Sequence, residues 1–337
     1  MRSTIVDIKN RTGLSLATIS KYLNGGNVLP ENKIKIDEAV KALNYQVNEN
    51  ARSLVTNQTR VMGVIVFSVE NLFVGTLLRY IGEYLRKHGY GMMICDSNKN
   101  PEAEKQNIRS MVQKNVDGII IMPVSDDPSC LKIARDAGIP VICLDRVFRE
   151  DDCDSVLVSN RQTTERLVDI LIRNHHRKIA VISSHTEYTG QERLSAFIAA
   201  IDKAGIRIPD EYIISAEGLS ISSGYEGMQQ LLSLPEPPTA VFLCNYEILI
   251  GAVMAVSSSG FSYPDDVSLI AFDSMIFSEI IRPRITGAVQ PTEQLAYRAA
   301  ELLILRAEEK KNGADSPPQH IVLDTDIQEH ESVKDIA

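Results

Sequence analysis

The chain has 337 residues, 44% of them hydrophobic and 23% charged, which leaves room for two or three folded units and a substantial core. It shows no run near the ~20 apolar residues needed to cross a membrane and no basic-plus-apolar leader, so membrane and exported classes are set aside and a cytoplasmic protein without a membrane partner is expected. The net charge of −9 argues against a nucleic-acid binder until it is divided: residues 1–60 carry +4 and the rest −13, so positive charge is concentrated at one end.

At that end, Thr4 and Asp7 have the spacing of a capping box and predict a helix to about Thr12, with Ile5 and Ile8 turned inward. Gly13 makes a turn and Ser15 a second cap. LSLATISKYLN, residues 14–24, then places small or polar side chains on one face and Ile19 and Leu23 on the other. Two short helices around a glycine turn read as a helix-turn-helix, whose second helix enters the major groove of DNA; a hairpin that merely caps the next domain has the same pattern. A third helix is predicted from Pro30, with Ile36, Ala39, Val40 and Leu43 on its buried face. NENARSLVTNQTR, residues 48–60, is poor in apolar groups and too short to be a stable helix alone in water, so it is expected to be helical only conditionally.

Beyond Arg60, short apolar runs alternate with amphipathic stretches. Strands are predicted at 62–67, 91–95, from 118, and ending at Asp145, with helices near 73–88, 101–114 and 128–137. A second series has helices at about 163–174, 193–203, 224–232 and 248–257, and strands from 178, at 212–215, from 239, and ending at Asp273. Continuously apolar strands alternating with helices imply parallel sheets covered on both faces, here in two doubly wound lobes that bind ligand beyond their strand C-termini.

Catalytic signatures are missing: there is no Gly-x-Ser-x-Gly elbow, phosphate-binding Walker loop or His-Glu-x-x-His helix, so no enzyme, catalytic residue, cofactor or metal is expected. His175 and His176 read as cations at a helix C-terminus. The five cysteines are widely spaced and lie mostly in apolar runs, as reduced core residues do.

The order TIVDIKNRTGLSLATISKYLN, KALNY, NENARSL and TRVMGVIV resembles the lactose-repressor (LacI/GalR) family of bacterial transcription regulators, and the likeness runs from Thr4 to about Glu329. The resemblance implies an α/β fold class: an N-terminal helix-turn-helix DNA-binding domain (1–47), a hinge helix and linker (48–60), and a periplasmic-binding-protein-like effector-binding and dimerisation domain (61–337). In that domain the N-lobe would hold about 61–160 plus 290–320, and the C-lobe about 161–289 plus 321–330. The implied partners are a pseudopalindromic double-stranded operator, a second copy of the chain in a homodimer, and a small-molecule effector, a carbohydrate by the chemistry below.

By the same resemblance, Leu16, Ala17 and Lys21 read base edges, and Leu54 is a wedge for the minor groove. Thr4, Ser15, Thr18, Ser20 and Asn24 suit phosphate contacts. Asp145, Arg193 and Asp273 fall at effector-contacting positions, with Phe73 and Leu219 as apolar walls. Carboxylates accept hydrogen bonds from hydroxyls and a guanidinium donates several, which fits a sugar. The chain departs from the family pattern at Asn245 and Tyr246, where Asn-Asp is common, and at Leu72, where a proline commonly follows the asparagine. Tyrosine removes an acceptor and adds a ring; neighbouring Glu247 is a candidate to restore the charge. The function implied is a DNA-binding regulator, usually a repressor. A sugar-binding module without a DNA role and a regulator controlled by a protein corepressor are the alternatives. The tail, 325–337, lacks an apolar heptad and predicts no coiled coil joining dimers.

Overall fold

The computed structural model describes residues 3–45, 58–149, 152–273, 280–314 and 316–337. Leu54, and with it residues 48–57 of the expected hinge, lies outside the described residues. In the head, α1 (Ile5–Thr12), α2 (Leu16–Leu23) and α3 (Pro30–Ala42) form at their local signals. The Thr4 N–H donates to Asp7 Oδ2 at 2.8 Å, closing the first helix start. Gly13 ends α1 at φ 71°, a left-handed conformation that costs a glycine nothing. Ser15 Oγ accepts the Thr18 N–H and so starts α2. One side chain or more from each helix, Ile8, Ile19, Ile36 and Ala39, is fully buried in a shared core, ringed by Ile5, Leu14, Leu23, Val40 and Leu43.

The body begins with β1 (Val61–Val66), α4 (Leu72–Lys87), β2 (Gly91–Asp96), α5 (Pro101–Gln113), β3 (Gly118–Ile121), α6 (Lys132–Asp136), β4 (Val141–Leu144) and β5 (Asp154–Val158). It crosses to a second lobe as α7 (Asn160–Arg173), β6 (Ile179–Ser184), α8 (Tyr188–Lys203), β7 (Ile213–Ala216), α9 (Ile221–Leu232), β8 (Ala240–Leu243), α10 (Tyr246–Ser258), β9 (Ser268–Phe272) and β10 (Thr286–Val289). The chain then returns as α11 (Thr292–Lys311), which packs on α4 and on β3 to β5. It finishes with β11 (His320–Leu323) in the first sheet and β12 (Asp326–Gln328) in the second.

Both sheets repeat one plan. The first runs β11-β5-β4-β3-β1-β2, all parallel; the second runs β12-β10-β9-β8-β6-β7, with only β12 antiparallel. Strands β1, β3, β8 and β9 are almost wholly buried, which explains their unbroken apolar runs. In the second lobe, α9 and α10 cross very closely: a Cβ on Gly224 would lie 2.3 Å from Ile248 O, and one on Gly251 2.0 Å from Ile221 O. That contact fixes where the N-terminus of α10 points.

Several sequence expectations need correction. Strand β5 was not read, because DSVLV follows a charged run and offers only a short apolar signal. Helices α7 and α8 start earlier than their apolar periodicity suggested, since their first turns bury polar residues: Asn160, Thr163 and Thr164 in α7, Thr189 in α8. Strand β11 pairs with β5, so the last crossing falls after Leu323 and not at 320. Of the two histidines that follow α7, His176 is not the helix-terminal cation expected. His176 is fully buried between Thr239 Oγ1 (2.9 Å) and Lys334 O (3.0 Å), and burial lowers its pKa; His175 pairs with Asp335. The tail is strapped to the second lobe, where Ser332 Oγ donates to Leu269 O and accepts the Thr286 N–H.

Candidate functional site

Two sites take shape, one on the head and one between the lobes. On α2, Leu16 is 40% exposed, and Ala17 and Lys21 are also exposed, while Ile19 is buried beneath them. An exposed leucine on a helix of this size contributes little to its own core. The polar residues around it already bond one another: Thr4 with Asp7, Ser15 Oγ with Thr18 Oγ1 at 2.9 Å, and Asn24 Nδ2 with Ser20 Oγ at 3.3 Å. Tyr22 Oη donates to Asp37 and locks α2 against α3. The arrangement offers a small apolar tip, one lysine and a rim of hydroxyls.

Between the lobes, strand ends and helix starts converge on one cavity. Phe73, Asp145, Arg193, Leu219, Asn245, Tyr246 and Asp273 all line it. Asp145 follows β4 and Asp273 follows β9, the fourth strand of each lobe in chain order, and both take left-handed backbone conformations, φ 66° and 64°. Burial pushes the Asp145 carboxyl up, with Arg146 and Arg193 acting against it. Arg193 is 2% exposed and bonded to three residues. Its Nε donates to Asn160 Oδ1 (2.9 Å) and its Nη1 to Cys244 O (2.6 Å) and Asp273 Oδ2 (3.3 Å), while its guanidinium lies 3.5 Å from the Phe272 ring centre. Gln290 donates to the other oxygen of Asp273.

Sequence reasoning missed Arg146, Glu187 and Lys99, which help to tie the lobes together. Arg146 stacks on Phe67, its guanidinium 3.9 Å from the ring centre, and reaches across to Glu187 at 2.9 Å. Lys99 meets the same carboxylate at 3.2 Å, and the Leu219 N–H donates to it at 3.0 Å. Burial alone would raise the Glu187 pKa; Arg146, Lys99 and the Leu219 N–H outweigh it and hold the carboxyl below its usual range. Asn71 and Asn245 cap α4 and α10, one in each lobe, and each donates its amide to Glu247 Oε2, at 3.2 and 3.3 Å. Beside them, the Leu72 N–H donates to Tyr246 Oη at 3.1 Å. Burial raises the Glu247 carboxyl and pushes the Tyr246 phenol up to about 12. Thus the two departures from the family pattern, at Leu72 and Tyr246, bond each other across the cleft.

These contacts close the cleft. The cavity left between them is about 30 Å³, room for a water or so, whereas small-molecule sites run to roughly 300–1,000 Å³. A ligand of that size enters only if the lobes part or these side chains turn away. Among the described residues no group of histidine, cysteine or acidic side chains is arranged to hold a metal, and no helix is long and apolar enough to cross a membrane.

The sequence matches the family model described as "Periplasmic binding proteins and sugar binding domain of LacI family" over residues 59–318. The chain is 30% identical to the HTH-type transcriptional repressor PurR of Mannheimia succiniciproducens, over 99% of this chain and all of that protein. Its fold is similar to that of the Lac repressor dimer bound to operator and the anti-inducer ONPF, with a TM-score of 0.88 at 21% identity, covering 99% of this chain and all of that one. It is also similar to a LacI family transcriptional regulator from Enterococcus faecium with bound ribose, with a TM-score of 0.72 at 25% identity, covering 82% of this chain and all of that one.

Proposed function

Because the chain belongs to the LacI family of transcriptional regulators, and is a DNA-binding repressor governed by a small-molecule effector rather than an enzyme, we propose how its residues divide that work. Two copies bind a pseudopalindromic operator, each laying α2 in a major groove. Lys21 donates to a guanine edge, and Leu16 and Ala17 meet thymine methyl groups. Thr4, Ser15, Thr18, Ser20 and Asn24 exchange their mutual hydrogen bonds for phosphate contacts that set register. Leu54 wedges into the minor groove at the centre of the site.

The effector we propose is a sugar or sugar derivative. The observation that carries this is the cleft chemistry: four carboxylates, Asp145, Glu187, Glu247 and Asp273, face two guanidiniums with Phe67, Phe73, Leu219 and Tyr246 around them. Hydroxyls suit such a lining because each donates to a carboxylate and accepts from a guanidinium. Glu247 supplies the acceptor that Tyr246 lacks. Effector entry breaks the Arg146–Glu187 and Tyr246–Leu72 contacts, shifts one lobe on the other, and so changes DNA affinity. The chain works in the cytoplasm, where its operator is.

The test is selection of bound sequences from a random DNA pool by the full-length protein, repeated with Leu54→Ala, followed by a sugar screen on the enriched site. A pseudopalindrome whose binding weakens about tenfold or more in the variant supports this division of roles. Intact, folded protein that enriches no sequence, yet binds a sugar, favours a ligand-binding module instead.

A further inference from the structure

The segment that joins head to body enters the first lobe through a single carboxylate. Asp117, in the turn just before β3, accepts the Thr59 N–H on Oδ1 at 2.9 Å and the Arg60 N–H on Oδ2 at 2.9 Å. Thr59 Oγ1 adds a third bond to Oδ1 at 3.0 Å and sits 2.9 Å from Asn115 O. The clamp is reinforced from the other side, where Arg60 O accepts the Gly91 N–H at 2.7 Å and the Arg60 guanidinium lies 5.9 Å from the Tyr90 ring centre. Arg60 is held at φ 54°, a left-handed conformation that a residue with a side chain adopts only when its surroundings impose it.

We infer that Asp117 is a positioning residue for DNA binding, the anchor that fixes where the hinge segment leaves the body and carries first-lobe movement to the head. This rests on the reading above, in which two hinges meet at one operator centre. The placement favours coupling over mere structure. Asp117 is only half-buried, and its neighbours Val116, Gly118 and Ile119 pack into the lobe without it. Behind it, β3 is a fully buried central strand, and just past its far end Asp126 pairs with Arg149, which reaches Gln191 and Glu192 of the second lobe, so the strand connects the clamp to the side that faces that lobe. Both carboxylate oxygens are used on residues 59 and 60. A change here therefore frees the linker and leaves the core intact.

Asp117→Asn makes the separation, because it keeps the shape and replaces one acceptor by an N–H that faces another N–H. Wild type first selects its operator from a random pool, and both proteins are then titrated on that site and on an unrelated duplex. Amide hydrogen exchange and thermal unfolding are measured alongside. We expect the variant to lose about tenfold or more on the operator and less than about twofold on the unrelated duplex. Exchange at Thr59 and Arg60 should quicken about tenfold or more while β1 and β3 keep their protection and the melting temperature holds within about 2 °C. Asp117→Glu, which retains both acceptors, should recover part of the operator affinity. Operator affinity within about twofold of wild type in Asp117→Asn overturns the inference, as does a loss of protection spread through β1 and β3, which would make the residue a lobe stabiliser. If folded wild type selects no operator, the functional reading fails and takes this one with it; selection by wild type with an unaffected variant sinks the clamp alone.

Discussion

The head and the interlobe cleft solve opposite problems with similar side chains. On α2, Leu16, Ala17 and Lys21 are exposed, so their chemistry is available to a partner from outside. In the cleft, Arg146, Arg193 and Asp273 are buried and Glu187 half-buried, in the pairs Arg146–Glu187 and Arg193–Asp273, so a partner must compete with the protein's own contacts. A surface that reads a rigid duplex is best kept ready, whereas a site that switches a conformation needs a state to switch from. Substitutions in the two places should therefore fail differently: in the cleft through stability and response, on the head through affinity alone.

The largest expected effect is at Arg193. Arg193→Ala leaves Asp273 buried without its cation and strips partners from Asn160 and Cys244 O, which should cost about 3–5 kcal/mol in a denaturant titration. A loss under about 1 kcal/mol would mean that the cleft opens readily to water and that the contrast with the head is overstated.

Next is pH, which should act on the body. Glu104 on α5 is fully buried, accepts the Val124 N–H at 2.7 Å, and is raised by burial from 4.5 to about 7. Between those values the unfolded chain has lost this proton and the folded one keeps it, so stability falls as pH rises from 4.5 and levels off above about 7. The span is about 3 kcal/mol. Glu104→Gln should match wild type near the lower end and melt higher at pH 8; parallel melting curves across the range would remove Glu104 as the cause.

Smallest in stability, and the sharpest test of the contrast, is Leu16→Ala. It should change unfolding by less than about 0.5 kcal/mol while weakening operator binding by about 1–3 kcal/mol. A clear fall in melting temperature would place Leu16 in the head's core and erase the difference between the two regions.

The same contrast explains what the sequence revealed. The head was legible because its signals are local: Thr4 with Asp7, Gly13, Ser15 and Pro30 each act within a turn of themselves. The two lobes were legible from buried apolar strands such as GIII and SLIAF. Asp145 and Asp273 were reachable as acids ending such strands. Arg146 and Glu187 were not, since they lie 41 residues apart on different lobes and meet only when the cleft closes. Glu247 was noticed only as a neighbour of Tyr246; its place between Asn71 and Asn245 depends on the packing of α9 against α10. Strands β10 to β12 escaped because they are short, and because the chain's return between lobes has no periodicity to announce it.

The most direct measurement of the central claim, that the head reads DNA and the cleft controls it, is the effector response of Asp273→Asn on the selected operator. With the sugar found by the screen, wild-type operator affinity should change about fivefold or more, and in the variant that ratio should collapse toward one while the sugar-free affinity stays within about threefold of wild type. A variant that keeps the full response would contradict the account, because the effector would then be acting somewhere other than this cleft.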